Sequence, residues 1–135
     1  MIIEIRIDEN IILLNEIPIG RPIYYEKIEL ALAVKPSRVV DSNNTIIVYD
    51  HEGVYLYTDK AEPGRISQVD IQFELQDWLN FAPKSIYGGK FYIGKKEVKN
   101  ISDILSFSDE VLDRDEEEGD GVINIYLNEI CLTKQ

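Results

Sequence analysis

The stretch Thr45-Ile46-Ile47-Val48-Tyr49-Asp50-His51-Glu52-Gly53-Val54-Tyr55-Leu56-Tyr57-Thr58 decides the fold class. Two runs rich in β-branched and aromatic residues, Thr45 to Tyr49 and Val54 to Thr58, flank a connection short enough for a tight hairpin. Gly53 can supply the positive φ that such a turn requires. A third run, Ile66 to Phe73, follows the turn residues Lys60-Ala61-Glu62-Pro63-Gly64, so the three read as an antiparallel meander. In that third run Ile66, Gln68, Asp70 and Gln72 oppose Ser67, Val69, Ile71 and Phe73, which predicts one mainly polar and one mainly apolar face. A sheet with one face covered by a helix satisfies this pattern.

The covering helix is predicted just upstream. Tyr24, Ile28, Ala31 and Leu32 gather on one helical face, giving a helix from about Ile23 to Val34 that opens after Pro22. Lys35 suits the negative end of its dipole and Pro36 stops it, so Lys35-Pro36-Ser37-Arg38 reads as a helix exit. Before the helix, Ile3, Ile5 and Ile7 alternate with Glu4, Arg6 and Asp8 as in a half-buried strand. Glu9-Asn10 then turns the chain, and Ile11 to Leu14 can pair back as a hairpin before Pro18 and Gly20 end regular structure.

Beyond the meander, Gln76 to Gly89 reads as a long loop whose aromatics Trp78, Phe81 and Tyr87 plug the edge of the core. Lys90 to Val98 is a second hairpin turning at Gly94-Lys95. Asn100 caps a helical turn containing Ile101, Ile104 and Leu105. An acidic loop is expected near residues 108–121, and Gly121 to Leu132 closes the chain as a strand or strand pair. No repeat or boundary divides the chain. The expectation is a single α+β domain over residues 1–135: a mostly antiparallel, twisted sheet with one main helix packed on a face and short helical turns.

The 135 residues carry 14 Lys+Arg against 25 Asp+Glu, a net charge of −11, which argues against direct nucleic-acid binding. The charge is local. Asp103 to Asp120 holds nine acids and a single base, Arg114, so most of the excess sits in one segment. No apolar run approaches a membrane span, no secretory signal opens the chain, and Cys131 has no second cysteine to pair with; a cytoplasmic protein is expected. Cys131, in an alternating apolar stretch, reads as a small buried hydrophobe rather than a reactive thiol.

Few chemistries survive inspection. A single His51 excludes sites needing two histidines, and with one cysteine zinc fingers are excluded too. No Gly-x-Ser-x-Gly phrase marks a nucleophile, and Tyr87-Gly88-Gly89-Lys90 lacks the first glycine and the following Ser/Thr of a phosphate loop. Asp113 to Gly121 is acidic enough to suggest calcium, but from Asp113 the sixth position is Glu118 and the twelfth Asn124, against the spacing of an EF-hand. No catalytic, metal or cofactor residues are therefore assigned. Two features remain for partner binding. The acids Asp109, Glu110, Asp113, Asp115, Glu116, Glu117, Glu118 and Asp120 form either a solvated loop or a contact surface for a basic partner. Tyr55 and Tyr57, which share a strand face, are either covered by a second layer or form part of a tyrosine-rich binding face.

The run from Tyr25 to Phe73 has a recurring shape: a short helix, Pro36-Ser37-Arg38-Val39, a strand turning at Asp50-His51-Glu52-Gly53, a third strand, and later Gly89 to Val98 as a hairpin. It resembles small uncharacterised bacterial proteins of the toxin-immunity type, and its helix plus meander is similar to the unit of the beta-lactamase-inhibitor-protein-like fold. The resemblance covers about half the chain. Lys35 stands where such sequences usually have a glycine. The resemblance implies a non-enzymatic immunity protein that neutralises a cognate toxin; the acidic charge adds the expectation of a basic toxin domain as partner, and a monomer or small homo-oligomer that contacts no membrane is expected. The alternative is a structural or accessory component of a secretion-system or phage-related assembly.

Overall fold

The computed structural model describes residues 1–19, 22–41, 44–59, 61–62, 64–76, 81–107, 114–115, 121–127 and 131–134. Among them lie β1 (Ile2–Arg6), β2 (Ile11–Leu14), β3 (Ile17–Ile19), α1 (Tyr25–Leu32), β4 (Arg38–Asp41), β5 (Thr45–Tyr49), β6 (Val54–Thr58), β7 (Ile66–Gln72), β8 (Lys90–Ile93) and β9 (Lys96–Glu97). A 3₁₀ turn (Ile101–Ser106) is followed by β10 (Arg114–Asp115), β11 (Val122–Tyr126) and β12 (Cys131–Lys134). The class is α+β, mostly antiparallel sheet with one α-helix among the described residues.

The strands form two sheets rather than one. The smaller runs β3-β2-β1-β8-β9 and the larger β10-β12-β11-β7-β6-β5-β4. The chain begins in the first, builds α1 and the meander of the second, returns for β8 and β9, and finishes in the second. The return is what period-2 alternation cannot announce. Ile3 and Ile5 of β1 pair in parallel with Phe91 and Ile93 of β8, nearly ninety residues downstream, and both pairs are buried. Ile3, Ile5 and Phe91 from the small sheet join Leu56, Ile71 and Ile123 from the large one in one buried cluster. Each such side chain contributes on the order of 1.5–3 kcal/mol by leaving water.

Helix α1 lies nearest β2 and β3 and buries Ile28, Ala31 and Leu32 in that cluster. It ends earlier than predicted, with Ala33 in the left-handed region (φ 54) and its N–H on the Glu29 carbonyl. Lys35 therefore lies beyond the last turn. The carbonyls left over at the helix end are met by Asn15, whose Nδ2 donates to Ala31 O (3.1 Å) and Leu32 O (3.4 Å) while its Oδ1 accepts from Ile2 N (2.8 Å). Asn15 itself sits at φ 49, a backbone region asparagine tolerates well.

The meander has its predicted strand limits apart from Phe73, which lies past β7, and Gly53 takes φ 71. Two features depart from the alternation. A bulge between Tyr57 and Thr58 pairs Thr58 with Ile66, so Ile66 points into the main core with Val69 and Ile71 instead of joining Gln68 and Asp70. The polar face is also buried: Asp70 is 1% and Gln72 0% exposed. The Asn100 cap forms as expected, its side chain accepting from Asp103 N while the Asp103 carboxylate accepts from Asn100 N. No helix among the described residues is long and apolar enough to cross a membrane.

Candidate functional site

The two phrases that carry the resemblance, Ser37-Arg38 and Asp50-to-Gly53, meet in space. Asp50 directly follows β5 and is 6% exposed; Arg38 opens the neighbouring strand β4. The guanidinium grips the carboxylate with two donors, Nε to Oδ2 (3.1 Å) and Nη2 to Oδ1 (3.3 Å), and Nη2 also donates to Ala82 O (2.8 Å). Lys84 N donates to Asp50 Oδ1 (3.0 Å), Ser85 N to Asp50 O (3.1 Å), and Asp50 N to Ser37 Oγ (2.9 Å). Burial favours the neutral acid, but the Arg38 charge and the Lys84 N–H outweigh it and hold the Asp50 carboxyl below its ordinary value. Every donor in this clasp belongs to the fold. Its work is to fasten the segment 82–85 to the edge of the large sheet.

Gly53 completes the fastening. A Cβ on it would lie 2.3 Å from Tyr87 N and 2.4 Å from the Ile86 carbonyl carbon, so the returning backbone occupies the side-chain position. Tyr87 N donates to Gln72 O (2.7 Å), its ring enters the main core, and its hydroxyl lies within bonding distance of Met1 O (3.0 Å) and Lys90 O (2.7 Å). Tyr87 thus plugs the core as its composition suggested, whereas Trp78 lies outside the described residues.

The outer face of the large sheet carries the tyrosines. Tyr55 opposes Asp70 across β6 and β7, Asp70 opposes Asn124 on β11, and Tyr57 opposes Gln68. Tyr55 is 3% exposed and Tyr57 partly buried; with Phe81 they form three tilted or edge-on ring contacts at centroid distances of 5.8, 6.1 and 6.4 Å. A second buried cluster of Ile46, Val48, Tyr55 and Val122 results, so Tyr55 serves packing and offers no exposed ring. Beside it the Asp70 carboxylate accepts from Asn124 Nδ2 (2.7 Å) and Gln68 Nε2 (2.5 Å). Asn124 Oδ1 and Gln72 Oε1 are buried acceptors with no hydrogen bond.

Of the acidic candidates, Asp109, Glu110, Asp113, Glu116, Glu117, Glu118 and Asp120 lie outside the described residues. Asp115 is described through its backbone, in β10 beside Thr133 of β12. Cys131 likewise is placed by its backbone at the start of β12, opposite Tyr126. His51 is exposed in the β5–β6 turn. Among the described residues no three His, Cys, Asp or Glu side chains are grouped so as to hold a metal ion.

One surface was not anticipated from the residues. Arg38, the last residue of the predicted helix exit Lys35-Pro36-Ser37-Arg38, instead opens the edge strand β4 (Arg38–Asp41), a strand not among those predicted. Beside it opens a mostly apolar groove of about 410 Å³, lined by Tyr25, Val39, Thr45, Ile47, Thr58, Asp59 and Gly64. The Tyr49 hydroxyl is buried, and burial first, then the neighbouring Tyr25 hydroxyl, hold that phenol well above its ordinary value and therefore neutral. The adjacent β-branched pair Val39-Val40 was the signal available in the sequence.

No curated protein and no solved structure matches this chain. A family model described as "Domain of unknown function (DUF7738)" matches residues 4–106, a span that contains the Arg38–Asp50 clasp, Gly53 and the β4 groove and stops before the acidic segment. By that match, which covers most of its length, the chain belongs to the DUF7738 family.

Proposed function

We propose that this protein is a non-enzymatic binding protein, most concretely a bacterial immunity protein that neutralises a cognate toxin by direct contact with a basic toxin domain. The observation that carries the reading is the concentration of charge: nine acids and one base between Asp103 and Asp120, in a chain whose net charge is −11. The charged groups buried elsewhere are spent within the fold, Asp50 on Arg38 and Lys84 N, Asp70 on Gln68 and Asn124. An acidic segment attracts a basic domain at long range and speeds encounter, an effect that salt screens within a Debye length of about 10 Å at 0.1 M.

The test is capture of proteins encoded beside this one, followed by calorimetric titration at low and high salt. The chain is compared with a variant in which the acids from Asp113 to Asp120 become Asn or Gln. Weakening of at least about tenfold in the variant, with unchanged urea stability, supports the reading. Equal affinity of the two proteins, insensitive to salt, refutes it. A stable higher oligomer in light scattering without a captured partner would instead favour the assembly component.

A further inference from the structure

The described sheet edges are protected unequally. Edge strand β3 carries Pro18 opposite Leu13, and β9 is two residues long and includes Lys96, devices that discourage further pairing. Strand β4 ends the large sheet with neither proline nor lysine; of its two charged residues, Arg38 is engaged by Asp50 and Asp41 lies at the strand's end, and Val39 between them is 57% exposed. The 410 Å³ groove begins at that same valine, so an unguarded backbone edge and an apolar recess adjoin.

Such a pair of features recognises an extended chain, the edge bonding its main chain and the recess accepting alternate side chains. The local charge selects the kind of chain. Asp59 lines the groove, Asp41 is exposed at the end of β4, and Arg65, next to Gly64, is taken up by Glu62 at 3.0 Å. A second copy of this protein would bring another −11 to the contact, whereas a basic segment is attracted.

We propose that the β4 edge and its groove dock an extended segment of another protein in which an apolar residue is flanked, two positions away on each side, by basic residues on the same strand face, added to the large sheet as a further strand. The apolar side chain enters between Val39 and Thr58, and the basic ones meet Asp41 and Asp59. The proposal rests on the reading of a basic protein partner, but it assigns the contact to a surface separate from the acidic segment.

The experiment uses a short capped peptide with lysines two positions before and after a central valine, separated by threonines, and its counterpart with glutamate for lysine, titrated into the isotopically labelled full chain. Expected are amide shifts centred on Arg38–Asp41 and Thr45–Tyr49, slowed exchange of β4 amides, and no binding of the acidic peptide. Val39→Lys and Asp59→Asn should each weaken the basic peptide, the former by about tenfold, while Ile17→Lys on the guarded edge changes nothing. Shifts centred elsewhere, equal affinity of Val39→Lys, or a dimer of the unmodified chain that Val39→Lys dissolves would each overturn the proposal. If a captured toxin is lost by the neutralised acidic segment but kept by Val39→Lys, edge docking fails while the immunity reading stands. If the peptide binds at β4 and no basic protein is ever captured, the reverse holds.

Discussion

Removing the Asp50 carboxylate is the most informative perturbation of this fold, because a single group there receives two guanidinium donors and a backbone N–H. Breaking a fully buried ion pair from one side costs about 3–5 kcal/mol. Arg38 retains 30% side-chain exposure and its bond to Ala82 O, so water and that carbonyl recover part of the loss. The expected cost of Asp50→Ala is therefore about 2–3 kcal/mol. Asp50→Asn keeps an acceptor for Lys84 N but forfeits the charge, for about 1–2 kcal/mol. Arg38→Met should cost a similar amount, and a cycle of Arg38→Met with Asp50→Asn should return a coupling of about 1–2 kcal/mol, since the two side chains share their main partner. Urea unfolding followed by far-UV circular dichroism measures all four proteins. Loss of the clasp should also raise hydrogen exchange at Lys84 and Ser85 before it affects β1 or β8, as the segment 82–85 is what it fastens. Single variants within about 0.5 kcal/mol of the parent, or a coupling indistinguishable from zero, would refute the clasp as a stabilising element.

The same carboxylate sets a pH dependence. Its folded pKa is lowered, so its contribution is complete above the unfolded value near 4 and disappears as pH falls through the folded one; Asp50→Asn should flatten the acid limb of the stability curve below about pH 4. Asn15→Ala removes bonds to Ile2, Ala31 and Leu32 and places alanine at positive φ, for about 2–3 kcal/mol in denaturant melts; Asn15→Gly, which relieves only the backbone, should recover a minor part. Gly53→Ala forces a methyl group into the Ile86–Tyr87 backbone and should cost about 3 kcal/mol or more, and a thermal melt within about 2 °C of the parent would show that the chain yields there.

Local pattern made much of this architecture legible. The strands β5, β6 and most of β7, the Gly53 and Gly94 turns, the β8–β9 hairpin and the Asn100 cap all follow from propensity, periodicity and turn chemistry acting within a few residues. Long-range decisions were invisible to that reading. The parallel β1–β8 pairing joins residues far apart in the chain, and no periodicity encodes which strand a strand will find, so one sheet was expected where two exist. The Ile66 side chain changes face because a bulge opposite Tyr57 and Thr58 shifts the pleat by one residue.

The sequence by itself determined where charge and turn chemistry lie: the acidic run ending at Asp120, the solitary His51 and Cys131, and the glycine at position 53. These depend on composition and on backbone freedom at single positions. Only the tertiary structure decided that Arg38 reaches across to Asp50, that the polar row of Asp70, Gln72 and Asn124 is buried, that Tyr55 is packing rather than surface, and that Val39 borders an open groove. Burial and edge position are properties of what lies opposite a residue. In this chain the residues opposite come from strands and loops that local pattern cannot assign.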